Sequence, residues 1–416
     1  MFYAVRSVRV SDVAVLSIAT IVLALVTQPS CAQTWSFDEI SQQAMQGHPA
    51  ILTRKSSAAA ALVDIETANW QRYPTPAVSA SKDGKGDSTS LLSVQQPLWT
   101  GGRITSDIAA AQSRYGASEK AINESRQDVQ SRIISAYVDA VRWQVKRTIS
   151  EKNAREHEQL LDMINRRVDV EASPSVDREL AQARLYQADN DLSAAKLSLS
   201  NALTQLSQLA GKDVEAVWPL TPDENLLPAS KESAIEQALF WSPVLARISF
   251  EGDAAAADIG AKRSAYWPQL ALRYENQHGT VTDRRMMVVL DTQFGAGLSA
   301  EAGVKAAVAK REAARLAYET ATRDVRQQVS MDWDEWEASR MRLNNASKAS
   351  ISSREVFDSY TRQYTAGRKS WLDVLNSVRE VSTSEFTAAD ANAQVLGAAL
   401  RLLLWTGKLT PMQASK

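Results

Sequence analysis

Residues 192–209 read LSAAKLSLSNALTQLSQL, and residues 388–405 read AADANAQVLGAALRLLLW. In the first stretch Leu192, Ala195, Leu199, Ala202, Leu206 and Leu209 follow a three-four spacing; at a shift of 196 stand Ala388, Ala391, Val395, Ala398, Leu402 and Trp405. All twelve are apolar. That spacing lines them along one side of a helix as a coiled-coil seam, and the many alanines permit close approach of a partner helix. The chain is therefore built of packed helices, and it is built twice.

The duplication extends outward from the seam. A shift of 194 places Ser36 on Ser230, Ala44 on Ala238, Pro49 on Pro243 and Pro74 on Pro268. Further along, a shift of 196 places Asp128-Val129 on Asp324-Val325, Tyr137 on Trp333, Val168 on Tyr364, Asp177 on Asp373 and Gly211-Lys212 on Gly407-Lys408. Repetition of this kind decides architecture before any local reading does. It divides the chain into a first repeat (33–217), a Pro-bearing linker (218–229), a second repeat (230–408) and a tail (409–416).

Each repeat carries the same order of elements. Ser36 and Glu39 have the spacing of a capping box that opens a short helix. Pro49 and Pro243 suit a first helical position, and each starts an Ala-rich helix that ends before Pro74 or Pro268. Period-two patterning follows. Val78 and Ala80 oppose Ala77, Ser79 and Ser81, and Leu92, Val94 and Leu98 oppose Leu91, Ser93 and Gln95. In the second repeat Leu270, Leu272 and Tyr274 oppose Gln269, Ala271, Arg273 and Glu275; Met286, Val288, Leu290 and Phe294 oppose Val289, Asp291 and Gln293. These are hairpins over 77–98, turning at Asp83–Asp87, and over 269–294, turning near Gly279. Patterning alone fits a soluble hairpin with one wet face as well as it fits barrel strands, although isolated hairpins are marginal in water.

No proline occurs between Pro97 and Pro174 or between Pro268 and Pro411. The long helices are placed at 103–171 and 298–366, each about 100 Å long. No single globular core holds such a length, so the domain is a rod. Shorter helices follow at 174–210 and 368–406. Laid end to end with the Ala-rich helices, they nearly equal one long helix and give it a composite partner.

Composition removes several classes of function. Of 416 residues, 47 are Lys or Arg and 48 are Asp or Glu, a net charge of −1, which argues against a nucleic-acid partner. One Cys and three scattered His offer no disulfide, zinc set or Cys–His pair, and no phosphate-binding loop or nucleophile elbow is present. No catalytic residue, metal or cofactor is assigned, and an enzyme is not expected. Arg6 and Arg9 precede an apolar run from Val13 to Val26, and Ser30-Cys31-Ala32 supplies small residues for cleavage of a signal peptide over 1–32. The alternative, lipidation of Cys31, lacks an aliphatic residue in Gln28-Pro29-Ser30. No later stretch is apolar enough for a membrane helix, so any membrane crossing is by strands. That shifts the hairpins toward barrel strands. Trp70, Trp99 and Trp267 then stand where an aromatic girdle or rod–barrel packing would use them, while Trp333 and Trp336 pack between helices.

The repeat, the element order and two local motifs resemble the TolC-like outer-membrane factor family. The motifs are Tyr364-x-x-Gly367-x-x-x-x-Leu372-Asp373-Val374-Leu375 at the second turn and Leu98-Trp99-x-Gly101-Gly102 after the first hairpin. The resemblance implies a mainly α protein with transmembrane β: an antiparallel helical coiled-coil barrel, and four strands per protomer in a shared twelve-stranded barrel of a homotrimer. It implies the outer membrane of a Gram-negative bacterium, helices in the periplasm, and contact with outer-membrane lipid. The partners implied are a periplasmic adaptor (membrane fusion protein) and an inner-membrane ABC exporter or proton-driven pump. Ser173-Pro174-x-Val176-Asp177-Arg178-Glu179-Leu180-Ala181 is similar to the branch that exports adhesins and agglutination factors, which points to type I secretion; the alternatives are a multidrug efflux channel or a soluble periplasmic coiled-coil scaffold.

The family places its periplasmic entrance at the helix tips, here Arg166–Asp177 and Arg362–Asp373. The resemblance assigns the gate to Asp177, Tyr364, Lys369 and Asp373, and adaptor docking to Glu171, Ser173, Pro174, Gly367 and Arg368. Carboxylate rings at a pore mouth attract cations, and cross-helix pairing with Lys369 would lock the closed state. The alternative is that these are ordinary solvated turn charges. Gly367 suits a turn that needs positive φ; its repeat counterpart is Glu171, where the family has Gly. Asn376 stands where a second acidic residue would strengthen the inner ring.

Overall fold

The same punctuation opens both halves of the molecule. In this computed structural model, which describes residues 34–82, 88–279, 282–292, 297 and 299–409, helix α1 (Phe37–Gly47) follows a two-residue strand β1 (Thr34–Trp35). Its capping box is complete: the Ser36 N–H donates to Glu39 Oε2 at 2.8 Å, and the Glu39 N–H donates to Ser36 Oγ at 3.2 Å. Helix α2 (Pro49–Trp70) begins on its proline. Strands β2 (Thr75–Lys82) and β3 (Ser88–Trp99) lead into α3 (Arg103–Asp169), and α4 (Ser175–Ala210) returns to β4 (Ala216–Val217), which pairs in parallel with β1. The second half repeats the order as α5 (Lys231–Trp241), α6 (Pro243–Arg263), β5 (Gln269–His278), β6 (Asp283–Asp291), α7 (Ser299–Thr365) and α8 (Trp371–Trp405). Both long helices have 67 residues. The expected signal peptide, the Asp83–Asp87 loop, residues 293–294 of the second hairpin and most of the tail lie outside the described residues.

Some boundaries differ from the sequence reading for local reasons. Helix α8 starts at Trp371 rather than 368, because Gly367 and Arg368 still close the turn after α7 and Ser370 caps the next helix. The 218–229 segment is not a free linker. It holds a helical turn at Glu224–Leu226, and Leu227 is buried against α5, α7 and α8.

The two hairpins form one antiparallel sheet in the order β2-β3-β5-β6, so the β3–β5 ladder joins the two repeats. Alternation along the strands separates its faces. One face carries Val78, Leu92, Tyr274, Met286, Val288 and Leu290, with Val78 78% and Met286 69% exposed. The other carries a self-satisfied polar network. Arg273 Nη2 donates to Gln95 Oε1 at 2.8 Å, and Arg285 Nη2 lies 2.7 Å from Glu275 Oε2. Polar, mutually bonded side chains on one face and bare aliphatic ones on the other are the distribution of a membrane barrel wall, with the polar face toward the lumen and the aliphatic face toward lipid. Trp99 and Trp267 meet edge-on at 6.5 Å at the base of the sheet, and Trp70 packs on Tyr73 nearby in sequence, all four exposed.

Helices form a single row. Helices α2 and α4 lie along α3; α6 and α8 lie between α3 and α7. Each long helix thus has composite partners stacked end to end. A cluster including Phe37, Ile40, Ile133, Tyr137, Leu206 and Leu400 fills the junction of α1, α3, α4 and α8. There the Tyr137 hydroxyl donates to the Trp218 carbonyl, and burial, with the charge of Asp38, pushes the phenol up to about 12. Trp333 and Trp336, 5.1 Å apart, pack against the cluster under α5. Close by, the buried Asp332 carboxylate accepts from Arg401 Nε at 2.7 Å and Trp405 Nε1 at 2.9 Å.

Leu98-Trp99-Thr100-Gly101-Gly102 is the hinge between sheet and rod. Gly101 (φ 61°) and Gly102 (φ 88°) turn the chain within two residues. A Cβ on Gly101 would sit 2.9 Å from Trp267 Cβ and 3.1 Å from the Ser264 carbonyl. Gly101→Ala combines left-handed strain with this overlap, and the expected loss is about 2 kcal/mol in thermal unfolding.

Candidate functional site

The tips of the two helical pairs are built alike. At the end of α7 the Gly367 N–H donates to Tyr364 O at 2.9 Å and the Arg368 N–H to Gln363 O at 2.8 Å. At the end of α3 the Glu171 N–H donates to Val168 O at 3.0 Å and the Ala172 N–H to Arg167 O at 2.8 Å. Both are Schellman motifs, whose pivot residue must be left-handed. Gly367 sits at φ 72° without strain, whereas Glu171 takes φ 58° and is the one non-glycine residue with positive φ among those described. The glutamate does not change the turn; it holds the same turn at a conformational cost.

The following helices start differently. Ser370 and Asp373 make a capping box, with Ser370 Oγ donating to Asp373 Oδ2 at 2.9 Å and the Asp373 N–H donating to Ser370 Oγ at 3.2 Å. Hydrogen bonds from the Ser370 hydroxyl and N–H, with Lys369 nearby, hold the Asp373 carboxyl below the usual carboxylate range. In α4 the cap position is Pro174, which has no side-chain cap. Asp177, the repeat counterpart of Asp373, therefore keeps a half-buried carboxylate with no hydrogen bond or ion pair among the described residues. Among the described residues Lys369 has no carboxylate partner on the α3–α4 tip. Its ammonium lies 4.2 Å over the Tyr360 ring and 4.0 Å from Asp373, one turn onward.

Tyr364 is buried and joins the tips. Its hydroxyl lies 3.3 Å from Ser173 Oγ, its ring packs 5.2 Å from Trp371, and the Arg167 guanidinium covers it at 4.7 Å. Trp371 Nε1 donates to the Asp177 carbonyl at 3.2 Å. Arg178 donates to Asn165 Oδ1 at 3.0 Å and pairs with Asp169, closing the first tip on itself. Beneath lies an apolar floor of Leu160, Ile164, Phe357, Val374, Leu375 and Val378. Glu171, Pro174, Gly367 and Arg368 are exposed around this knot, and Ser173 is partly covered. The sequence alone assigned no tip contact to Trp371, Arg167 or Arg178. Trp371 was legible as an asymmetry, because its repeat counterpart is Ser175.

Nothing in this constellation pairs a nucleophile with a base. It offers an aromatic and hydrogen-bonded contact between two helical hairpins, with the carboxylates of Asp177 and Asp373 close by in the chain. Among the described residues no helix is long and apolar enough to cross a membrane, and no group of three or more potential ligands for a metal ion is found.

The chain has relatives among known proteins. The family model described as outer membrane efflux protein matches residues 40–212 and 234–408, one match per repeat. The chain is 23% identical over 361 residues to the outer membrane efflux protein BepC of Brucella suis biovar 1 (strain 1330), covering 83% of this chain and 76% of that protein. It is 21% identical over 305 residues to the cobalt-zinc-cadmium resistance protein CzcC of Cupriavidus metallidurans, covering 71% of each. Among solved structures, CusC superposes with a TM-score of 0.78 at 17% identity, over 91% of this chain and 95% of that one.

Two consequences of the tip geometry are measurable by thermal unfolding. Glu171→Gly relieves the left-handed strain and raises stability by about 1 kcal/mol, while Gly367→Ala lowers it by a similar amount. Ser370→Ala removes the cap, at a cost of about 1 kcal/mol. Because the folded Asp373 carboxyl is held low, its contribution is present at neutral pH and is lost as pH falls through the folded value. The hydrogen-exchange protection factor at the second tip, taken relative to the intrinsic exchange rate at each pH, should therefore fall on acidification in the native protein, and respond less to pH in Ser370→Ala.

Proposed function

The chain belongs to the outer membrane efflux protein family, and from that premise we propose that it is one third of a homotrimeric exit duct, closed at rest by its helix tips. As a member of the family it is an outer-membrane transport protein with its helices in the periplasm, and not an enzyme. The observation that carries the trimer is a matched pair of open edges. Strands β2 and β6 are the two end strands of the sheet among the described residues, and β2 is exposed along its whole length. Four strands cannot close a barrel, and an open edge in a membrane is costly. Since directions alternate along the sheet, β6 of one copy meets β2 of the next antiparallel, and three copies supply twelve strands. The helical row repeats the pattern. Helix α7 leaves Leu316, Met341 and Ile351 exposed, and the opposite edge leaves Leu62 and Val63 of α2 and Leu197 of α4 exposed.

In this reading the tips are the entrance. Threefold symmetry turns each residue into a ring of three. Asp177, uncommitted among the described residues, and Asp373, kept ionised by its cap, would draw cations to the mouth, with Lys369 beside Asp373. Tyr364 acts indirectly: with Trp371 it ties the hairpins together, so the two move as one body. Glu171, Ser173, Pro174, Gly367 and Arg368 form the surface offered to a periplasmic adaptor, itself coupled to an inner-membrane energiser. For the cargo, the efflux that names BepC and the cobalt-zinc-cadmium resistance that names CzcC favour export of metal ions or other small solutes, the reading in which the energiser is a pump. The 173–181 stretch supports the second reading, type I secretion through an ABC exporter.

Native mass of the detergent-extracted protein is the first test. Three copies per particle are expected, and a soluble monomer or dimer recovered without detergent would reject the shared barrel. In planar bilayers, Asp177→Ala/Asp373→Ala should raise leak conductance or weaken cation preference; unchanged conductance and selectivity would remove the gate assignment. Deleting the gene should sensitise cells to small toxic compounds and leave the secreted proteins unaltered, whereas the opposite pattern selects type I secretion.

A further inference from the structure

The outward face of the sheet changes character along its height. Strand register gives its rows: Leu270 beside Leu290, Leu272 beside Val288, Val94 beside Tyr274 and Met286, then Val78, Leu92, Asn276 and Arg284 in one line. Two residues further from the rod stand Ala80, Ser90 and His278, and beyond them Lys82 opposite Ser88. The ten residues of β5 run about 33 Å along the strand, about 23 Å of height at a 45° tilt, which is close to the apolar band of a membrane barrel. The aromatic base at Trp99 and Trp267 marks one boundary of that band, and Lys82, His278 and Arg284 mark the other.

All three rim side chains are exposed. Lys82 and Arg284 make no ion pair among the described residues. On the opposite face every charge near mid-strand is engaged, Arg273 on Gln95 and Arg285 on Glu275. An unpaired cation on the lipid side is unfavourable in hydrocarbon and tolerable only in the headgroup layer. There its natural counter-group is phosphate, which Arg and Lys bind through short charge-assisted hydrogen bonds. Ser88 and Asn276 on the same face add neutral donors beside the cations, while the Ser90 hydroxyl donates to the His278 carbonyl at 3.3 Å.

We propose that Lys82, His278 and Arg284 form a collar that binds the phosphate groups of a phosphorylated glycolipid of the outer leaflet. The proposal rests on the reading of this sheet as a membrane barrel wall. Three copies would repeat the collar around the rim, and the combination of phosphate, sugar hydroxyls and acyl chains in one ligand matches the cations, neutral donors and aliphatic rows stacked on this face. Bound there, the lipid would tie the rim to the leaflet and add to the stability of the assembled barrel.

The test uses the full protein reconstituted into phosphatidylcholine vesicles alone, or with phosphatidylglycerol, diphosphorylated lipid A or dephosphorylated lipid A. Oligomer size and protease protection of the hairpins are recorded first. A protein that never inserts overturns both the duct reading and the collar. For an inserted protein, the readouts are glycolipid retained in native mass spectrometry and the temperature at which the oligomer dissociates. Diphosphorylated lipid A should be retained and should raise that temperature. Lys82→Gln/Arg284→Gln should lower retention about tenfold or more, since each cation near an anionic surface is worth on the order of 1 kcal/mol. Lys82→Arg/Arg284→Lys, which keeps both charges, should retain it. Equal retention by the Gln variant, or equal effects of dephosphorylated lipid A, would overturn the collar with the duct intact. Equal effects of phosphatidylglycerol would overturn the assignment to a glycolipid.

Discussion

The antiparallel ladder between β3 and β5 is the constraint on which the rest of the protomer depends. It takes two hairpins, each too small to persist alone, and makes one sheet whose centre is the junction between repeats. Once Val94 is opposite Tyr274 and Gln95 opposite Arg273, the starts of α3 and α7 are set relative to one another by the strands that lead into them. The Gly101-Gly102 turn, pressed against Trp267 and Ser264, passes that register from sheet to rod. Helix packing then follows from length: α6 and α8, stacked end to end, fill the space between the two long helices.

Duplication also explains where the molecule is asymmetric. Repeat-equivalent positions share backbone geometry, as the two Schellman turns show, yet carry different side chains where the copies do different work. Glu171 and Gly367 hold the same turn at different cost. Pro174 and Ser370 start equivalent helices, but only the serine captures its carboxylate, so Asp373 is committed and Asp177 is not. The Tyr364–Trp371 pair has no aromatic counterpart in the first tip, where Val168 and Ser175 occupy those positions. The single copy of this aromatic pair lies between the two tips and serves both.

Most of the architecture was legible before any coordinates. The seam at 192–209 and its copy, the proline-started helices, the Ser36–Glu39 box and the period-two stretches report local physics, and local physics leaves a periodic trace. The tip was legible in part. Gly367 announced a left-handed pivot, but Glu171 concealed the same one, because a non-glycine residue at positive φ has no sequence signature. The capping role of Asp373 was readable from Ser370 three positions earlier, while the Trp371 bond to the Asp177 carbonyl joins residues far apart in the chain and leaves no pattern.

The sequence by itself determined that the chain is a helical rod built twice, with two short amphipathic hairpins, a near-neutral charge and no equipment for catalysis. Those properties depend on composition and on spacing within a few turns or strands. Only the tertiary structure decided that the hairpins share one sheet, that its aliphatic face is bare, and that, among the described residues, β2 and β6 end the sheet while α7 and the α2/α4 pair end the helical row. It also decided that Tyr364 belongs to the core of the tip. The reason is physical: pairing between distant segments is selected by the free energy of the whole packed assembly, and an edge is known to be free only when every other partner has been placed.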